Sequence, residues 1–313
     1  MTKSLVLGAN GFIGSHLVDA LAERGDDVRA FDRFSGITLY NPSDKVEQFA
    51  GDFLNSADLE NALQGVDHVY HFISTTNPAT AENDPTIDIE TNMRMSVELF
   101  LLCVKAGVKK VFFASTGGAI YGENPTPPFS EDMTPYPVSP YAIGKLTIES
   151  YLRYFRRKHG LHSVSLRISN PYGERQPFHR KQGVIPIFLE KMYRGEPMTV
   201  LGDGSMIRDY VYVKDVARMI CDMTHHDHQA EVYNVGSGMG VTVNELVSIA
   251  EKVSGKQAVV EHSPAPSTFV QEAVLDTTRF KNEFHIFPTT QLEDGMRATY
   301  EYIQQEIERE PRQ

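Results

Sequence analysis

The sequence predicts a doubly wound α/β fold, in which a parallel sheet covered by helices on both faces is followed by a smaller α/β cap. Three observations carry that prediction. Short apolar runs alternate with helix-period segments through the first 170 residues. A glycine-rich turn joins the first run to the first helical segment, and beyond residue 170 the rhythm loosens under Pro171, Pro177, Pro186 and Pro197. Strands joined through helices run parallel, and a parallel sheet needs helices on both faces to bury its apolar strands.

The elements follow in order. Leu5-Val6-Leu7 is strand-like, and Phe12 to Glu23 sets Ile13, Leu17 and Leu21 at helical spacing. Val28 to Phe31 predicts a second strand ending at Asp32, Val46 to Phe49 a third, and Asp58 to Leu63 a short helix. Asp67 to Phe72 predicts a fourth strand, and Ile89 to Ala106 one long helix capped by Gly107. Lys110 to Ala114, the helix Tyr141 to His159 and Ser163 to Ile168 complete the first half. Shorter segments follow: helices near Ile185–Tyr193, Val216–Thr224 and Val243–Ser254, strands near Thr199–Leu201, Tyr210–Val213 and Tyr233–Val235, and a final helix from Leu292 to about Ile307. The expected division is 1–170 for the sheet domain and 171–313 for the cap, with the chain crossing back to the first domain.

Composition narrows the partners. The 313 residues carry 30 Lys+Arg against 41 Asp+Glu, a net charge of −11, which argues against nucleic acid and a polybasic membrane contact. The longest apolar stretch, near Leu99 to Val104, is far below the roughly 20 residues of a membrane span. Gly8-Ala9-Asn10-Gly11 interrupts any signal-like apolar core. Cys103 and Cys221 form no spacing motif, which fits a reducing, cytoplasmic setting. No metal site is expected, and His225-His226-Asp227-His228 reads as a solvated loop.

Gly8-Ala9-Asn10-Gly11-Phe12-Ile13-Gly14 sits where a strand turns into a helix. Glycines there allow a tight turn and close approach to a pyrophosphate, and the helix N-terminus offers unpaired N–H groups and a positive dipole end. Asp32 ends the second strand, eighteen residues after Gly14, where a carboxylate accepts from the adenosine ribose and repels a 2′-phosphate; this favours NAD over NADP, with Arg33 next to it. Gly51-Asp52 after the third strand could reach the adenine, or be a plain turn. Tyr141 and Lys145 stand at i, i+4, so they share a helix face. An ammonium beside a phenol, with a positive nicotinamide, is expected to lower the phenol pKa and make it a base for a carbinol proton. Ser115 or Thr116 could relay that proton, or cap a glycine-rich turn.

With these residues in view, the chain resembles an extended short-chain dehydrogenase/reductase of the NAD-dependent sugar-nucleotide epimerase/dehydratase family, from residue 4 to about residue 300. The marks are Gly8 to Gly14, Asp32, Gly51-Asp52, Asn92, Tyr121-Gly122, Tyr141 with Lys145, Leu166-Arg167 with Asn170 to Gly173, Gly202-Asp203-Gly204 with Arg208-Asp209-Tyr210, and Tyr233 to Gly236. The resemblance implies a Rossmann-type domain and an NAD site that adds Phe53, Phe72, Ser74 and Asn92 to Gly8, Asn10, Gly11, Phe12, Ile13, Gly14, Asp32, Arg33, Asp52, Tyr141 and Lys145. From the residues alone, Asn92 reads as a bond to neighbouring backbone. The resemblance further implies a UDP-sugar substrate, with Asn170 and Arg208 on the diphosphate and Val184 and Arg175 near the uracil. It implies a homodimer through a helix bundle that includes Ser96 to Leu102.

The family begins from oxidation at C4 of the sugar. Related dehydratases carry Asp-Glu after the relay threonine, and decarboxylases a nearby glutamate. Here Gly117-Gly118-Ala119-Ile120 follows Thr116, so the resemblance implies plain C4 epimerisation through a 4-keto sugar, with Tyr141 as base and Thr116 favoured over Ser115 as relay. The loop from Ser115 to Tyr121 is one residue longer than in the family's best-known epimerases. The family arginine expected before Asp276 is replaced by Ser263-Pro264-Ala265-Pro266-Ser267. Ala273 falls where a gate for the sugar C2 substituent is expected, and its small size would admit an N-acetyl group.

Overall fold

The computed structural model describes residues 2–76, 78–122, 124, 126–178, 183–265 and 270–309. The first half runs β1 (Lys3–Leu7), α1 (Phe12–Glu23), β2 (Asp27–Asp32), β3 (Val46–Ala50), α2 (Ser56–Ala62), β4 (His68–His71), α3 (Pro78–Asn83), α4 (Pro85–Asp88), a π-helical turn (Ile89–Met93), α5 (Arg94–Ala106), β5 (Lys110–Thr116), α6 (Gly117–Ile120), α7 (Pro140–His159) and β6 (His162–Ile168). The second half runs β7 (Asn170–Tyr172), α8 (Val184–Arg194), β8 (Met198–Leu201), β9 (Ile207–Tyr212), α9 (Val213–Met223), β10 (Val232–Val235), β11 (Gly240–Thr242), α10 (Val243–Ser254), β12 (Val260–Ser263), β13 (Glu272–Ala273), α11 (Thr278–Phe284) and α12 (Leu292–Arg309).

The main sheet has the order β10-β6-β5-β4-β1-β2-β3, and every pairing is parallel. Strand periodicity sorts its side chains between two cores. Val6, Tyr70, Phe112 and Leu166 point to the face covered by α1, α9 and α11. Leu5, Leu7, Val69, Val111 and Phe113 point to the face covered by α2, α5 and α7. Strand order reverses between β1 and β4, and the crevice at the carboxyl ends of such a switch point is where open α/β sheets bind ligands.

The cap is a patchwork. β9 collects β7, β11 and β13, while β8 pairs with β12. Helices α8, α10 and α12 bury a third apolar cluster against these strands. The chain also returns to the main sheet, because β10 pairs with β6 and α9 packs on the α1 face.

Two differences from the sequence prediction concern the site. The predicted helix from Ile89 to Ala106 is interrupted at its start by the π-helical turn. Within the turn Thr91 Oγ1 donates to the Ile87 carbonyl, and Asn92 Oδ1 accepts from the Thr75 N–H. Such insertions recur at functional sites. The fifth strand extends to Thr116 and leads into α6, which sequence period does not reveal.

Candidate active site

The β1–α1 turn is made by backbone. Gly8 has φ +85°, and the N–H groups of Gly8 and Ala9 donate to the Phe31 carbonyl at 3.0 and 3.2 Å, tying the turn to β2. A Cβ at Gly14 would run into the Gly8 carbonyl oxygen, so helix and turn meet without room for one carbon. Gly11 stands at the N-cap of α1 with no side-chain cap, leaving first-turn N–H groups of Phe12 and Ile13 for a ligand. Asp32 accepts from the backbone N–H of Asn10 at 3.0 Å and of Arg33 at 2.8 Å, which fixes its carboxylate beside the turn. The Asn10 side chain clasps the following loop through the Ile37 carbonyl and the Leu39 N–H. Asp52 accepts from Leu54 and closes its own turn, Phe53 is buried against the His71 ring, and Phe72 packs on the α1-side core. Ser74 Oγ donates to the Thr76 carbonyl at 2.8 Å.

Helix α7 begins with Ser139 capping the Ala142 N–H and Pro140 in its first turn. It carries Tyr141 and Lys145 on the face toward β5, as their spacing predicts. Lys145 Nζ donates to the Ala114 carbonyl at 2.8 Å and lies 4.8 Å from the Phe113 ring centre and 5.6 Å from that of Tyr141. The expected fall in the phenol pKa is not what the chain's own groups produce. Burial, then the charge of Asp88, push Tyr141 up to about 12. Burial lowers Lys145 to about 8, against the opposing effects of Asp88 and Glu149. Removing the phenol from water outweighs the lysine, whose ammonium is spent on a backbone carbonyl.

Ser115 and Thr116 part ways. Ser115 Oγ donates to Glu149 Oε1 at 2.5 Å, inside a buried network. Glu149 pairs with Arg167 at 2.8 and 3.2 Å, Arg167 donates to the Tyr121 hydroxyl at 3.0 Å, and Tyr121 donates to Asn234 at 2.7 Å. Thr116 is the N-cap residue of α6 but gives its side chain to no cap bond. Asn92 is buried, accepting from the Thr75 N–H and donating to Thr76 Oγ1 and Asp88 Oδ1, so its bonds reach both backbone and side chains.

In the cap, Asn170 Nδ2 donates to the Asp209 carbonyl at 2.9 Å. Arg208 donates to the carbonyls of Ile207 at 2.7 Å and Val270 at 2.6 Å. Its two acidic neighbours in sequence serve elsewhere: Asp203 accepts from Ser205, and buried Asp209 accepts from Ser237, Gly238 and Leu275. Arg175, at φ +64°, pairs with Asp19 of α1 at 2.8 Å and so ties the cap to the sheet domain. Val184 opens α8 and packs on the cap core. Ala273 pairs with Arg208 in register and is buried with Ile120, Tyr121 and Phe129. Pro266 and Ser267 lie outside the described residues. His225 faces Asp26 and His228 faces Lys110, and among the described residues no cluster of three or more ligand side chains is placed to hold a metal.

Comparison with known proteins decides the family. The model of the NAD dependent epimerase/dehydratase family matches residues 4–236. The chain belongs to that family. A crystal structure of UDP-glucose 4-epimerase from Thermotoga maritima with UDP-glucose is 37% identical, with a TM-score of 0.90 over 98% of this chain and 100% of that one. The Thermus thermophilus UDP-glucose 4-epimerase in complex with NAD is 34% identical, with a TM-score of 0.89 over 97% and 99%. Among curated proteins, the dTDP-4-dehydro-6-deoxyglucose reductase of Escherichia coli is 32% identical over 300 residues, 93% of this chain and 94% of that protein.

The epimerase/dehydratase family takes NAD, and the residues of this chain fit it. The tight β1–α1 turn that Gly8 and Gly14 allow, the open first turn of α1 and the fixed Asp32 carboxylate form a dinucleotide cradle. Sequence reasoning passes over two carboxylates here. Glu149 is within its reach, since Tyr141, Lys145 and Glu149 repeat every four residues along one face. Asp88 carries no such signal. No described helix is long and apolar enough to cross a membrane.

Proposed function

We propose that this family member is a 4-epimerase of a UDP-hexose. The observation that carries the reading is the half-buried Tyr141 beside the buried Lys145 at the end of β5, with α6 next to them built only of Gly117, Gly118, Ala119 and Ile120. Proton removal from the C4 hydroxyl needs one base, whereas expelling water from C6 needs a further acid. NAD, when bound, supplies the hydride acceptor and donor at C4. Tyr141 takes the hydroxyl proton and later returns it, with Thr116 as relay, since the Ser115 hydroxyl is engaged by Glu149. Lys145 holds the site's positive charge against Ala114 and orients the nicotinamide ribose. Asn170 and Arg208 hold the diphosphate, Arg208 because its planar fork suits phosphate oxygens. Val184 and Arg175 border the uracil. The keto sugar must then turn over in the site, which asks for room and for few groups gripping the hexose.

The test is to incubate the NAD-loaded protein with UDP-glucose, UDP-N-acetylglucosamine and UDP-glucuronate and read the sugar protons by NMR. A C4 epimer is expected, and loss of water or carbon dioxide would refute the reading. Tyr141→Phe should lower turnover by about 10²–10⁴-fold while NAD stays bound. The similarity to the E. coli reductase favours a second reading, net reduction of a 4-keto deoxysugar. Stoichiometric consumption of added NADH or NADPH would identify it.

Apolar side chains stand exposed on the helices flanking the site: Leu101 on α5, and Ile143, Tyr151 and Tyr154 on α7. We infer that a second copy covers this α5–α7 face as a helix-bundle homodimer. A monomeric mass by sedimentation would rule that out.

A further inference from the structure

Gly144 lies between Tyr141 and Lys145 in sequence, and in the folded chain it is a notch in the helix. α4 ends at Asp88 against α7, and a Cβ built at Gly144 would fall on Asp88 Oδ2, with the carboxylate carbon 3.0 Å away. The helix surface is cut away one residue before Lys145 and three after Tyr141, and a carboxylate oxygen occupies the cut. The same carboxylate is clamped at its other oxygen. Asp88 Oδ1 accepts from Thr76 Oγ1 at 2.5 Å and from Asn92 Nδ2 at 2.7 Å, and Asn92 is itself held by the Thr75 N–H. Asp88 is 3% exposed. A carboxylate this buried is costly unless a charge nearby uses it, and mere packing in the notch would be served by a neutral amide.

We propose that Asp88 is a positioning residue for the Tyr141–Lys145 pair: seated in the Gly144 notch, it supplies the fixed negative charge that sets the pH range in which the pair works. This rests on the reading of Tyr141 as the base. The other titratable groups facing the pair are accounted for. Glu149, one turn along α7, is bound to Arg167 of β6 and Ser115 of β5. His71 of β4 is kept neutral, with burial lowering it to about 3. Asp88, from α4, is the group whose charge acts on both members: it adds to the rise of Tyr141 and opposes the fall of Lys145. One carboxylate therefore moves both groups upward together.

The experiment compares wild type, Asp88→Asn, Gly144→Ala and Tyr141→Phe as NAD-loaded proteins. It reads the pH profile of kcat/KM and, without substrate, the near-ultraviolet tyrosinate band. The chain has no Trp and 14 Tyr, and subtracting the Tyr141→Phe titration isolates the one phenol of interest. Asp88→Asn keeps the shape and an oxygen to accept from Thr76 and Asn92, and removes only the charge. Both limbs of its profile should move to lower pH by about one unit, and the Tyr141 band should rise correspondingly earlier. Gly144→Ala keeps the charge but drives it from the notch, so it should shift both readouts the same way by a smaller amount, even if Asp88→Asn folds poorly. A fall in kcat with limbs and tyrosinate band unmoved in both variants would reduce Asp88 to packing and overturn the inference. Full activity in Tyr141→Phe would instead overturn the reading beneath it. An inactive Tyr141→Phe with an unshifted Asp88→Asn would overturn the inference alone.

Discussion

The seven-stranded sheet and the cap differ in their buried titratable groups: histidines lie buried on the sheet side, and among the described residues none is buried in the cap. The sheet and the helices on it enclose histidines: His16 on α1 and His71 on β4 are buried, and His68 on β4 and His228 against β5 are half-buried. Burial lowers all four from 6.5, His16 and His68 to about 4 and His71 and His228 to about 3. Carboxylates are buried on both sides, Asp88 and Glu149 beside the sheet and Asp209 in the cap. Asp209 accepts three backbone N–H groups and the Ser237 hydroxyl, and burial raises its pKa. A neutral base and a carboxylate respond to acid with opposite signs. The unfolded chain takes protons that the four folded histidines refuse, so their contribution is complete above about pH 6.5 and is lost as pH falls toward 4 and 3. Asp209 binds its proton more readily folded than unfolded, so mild acid does not weaken the cap through it.

The largest expected effect follows from that contrast. Taking the protein from about pH 7 to about pH 5 should open the sheet domain before the cap. Hydrogen exchange, corrected for its intrinsic pH dependence, should show β1, β4 and α1 losing protection while α8, α10 and α12 retain theirs. Equal loss in both halves would break the comparison.

The halves also differ in how much of them can be read from the chain. Leu5, Val6 and Leu7 point alternately to two cores, and that period is written in consecutive residues, so the sheet is legible. Tyr141 and Lys145 are legible for the same reason, being one helical turn apart. The cap's β13 has two residues and pairs with β9 from 65 positions away, and no local period can announce it. Asp88 meets α7 through a side chain that Gly144 lacks, which only the packed structure reveals. The chain's own groups raise Tyr141, and spacing shows the neighbouring lysine but neither the burial nor the Asp88 charge; the fall expected with a positive nicotinamide beside the phenol is a property of the NAD-loaded site.

A smaller effect separates ligand contacts made by backbone from those made by side chains. Gly14→Ala places a carbon against the Gly8 carbonyl, so the β1–α1 turn must open. The expected cost is about 1–3 kcal/mol of stability, with NAD lost from the purified protein. Arg208→Ala, in the cap, should leave NAD content unchanged and raise KM for the sugar nucleotide. NAD released on denaturation measures both. Retention of full NAD by Gly14→Ala would mean that the turn has slack the structure does not show.

The smallest effect divides two adjacent hydroxyls. Ser115 belongs to the buried chain that runs through Glu149, Arg167, Tyr121 and Asn234, and its hydroxyl donates into a paired carboxylate. Removing that hydroxyl leaves Glu149 short of one donor but leaves the Tyr141 side of the site alone. Ser115→Ala should therefore cost about 1 kcal/mol of stability with turnover little changed. Thr116 stands at the mouth of α6, with no cap bond to lose. Thr116→Val should leave stability nearly unchanged and lower kcat by about tenfold, the worth of one hydrogen bond made to the reacting hydroxyl. Urea midpoints and turnover on the same preparations decide it. If Ser115→Ala lowers kcat and Thr116→Val does not, the relay runs through the Glu149 network, and the catalytic helix and the buried ion pair would be one machine rather than two.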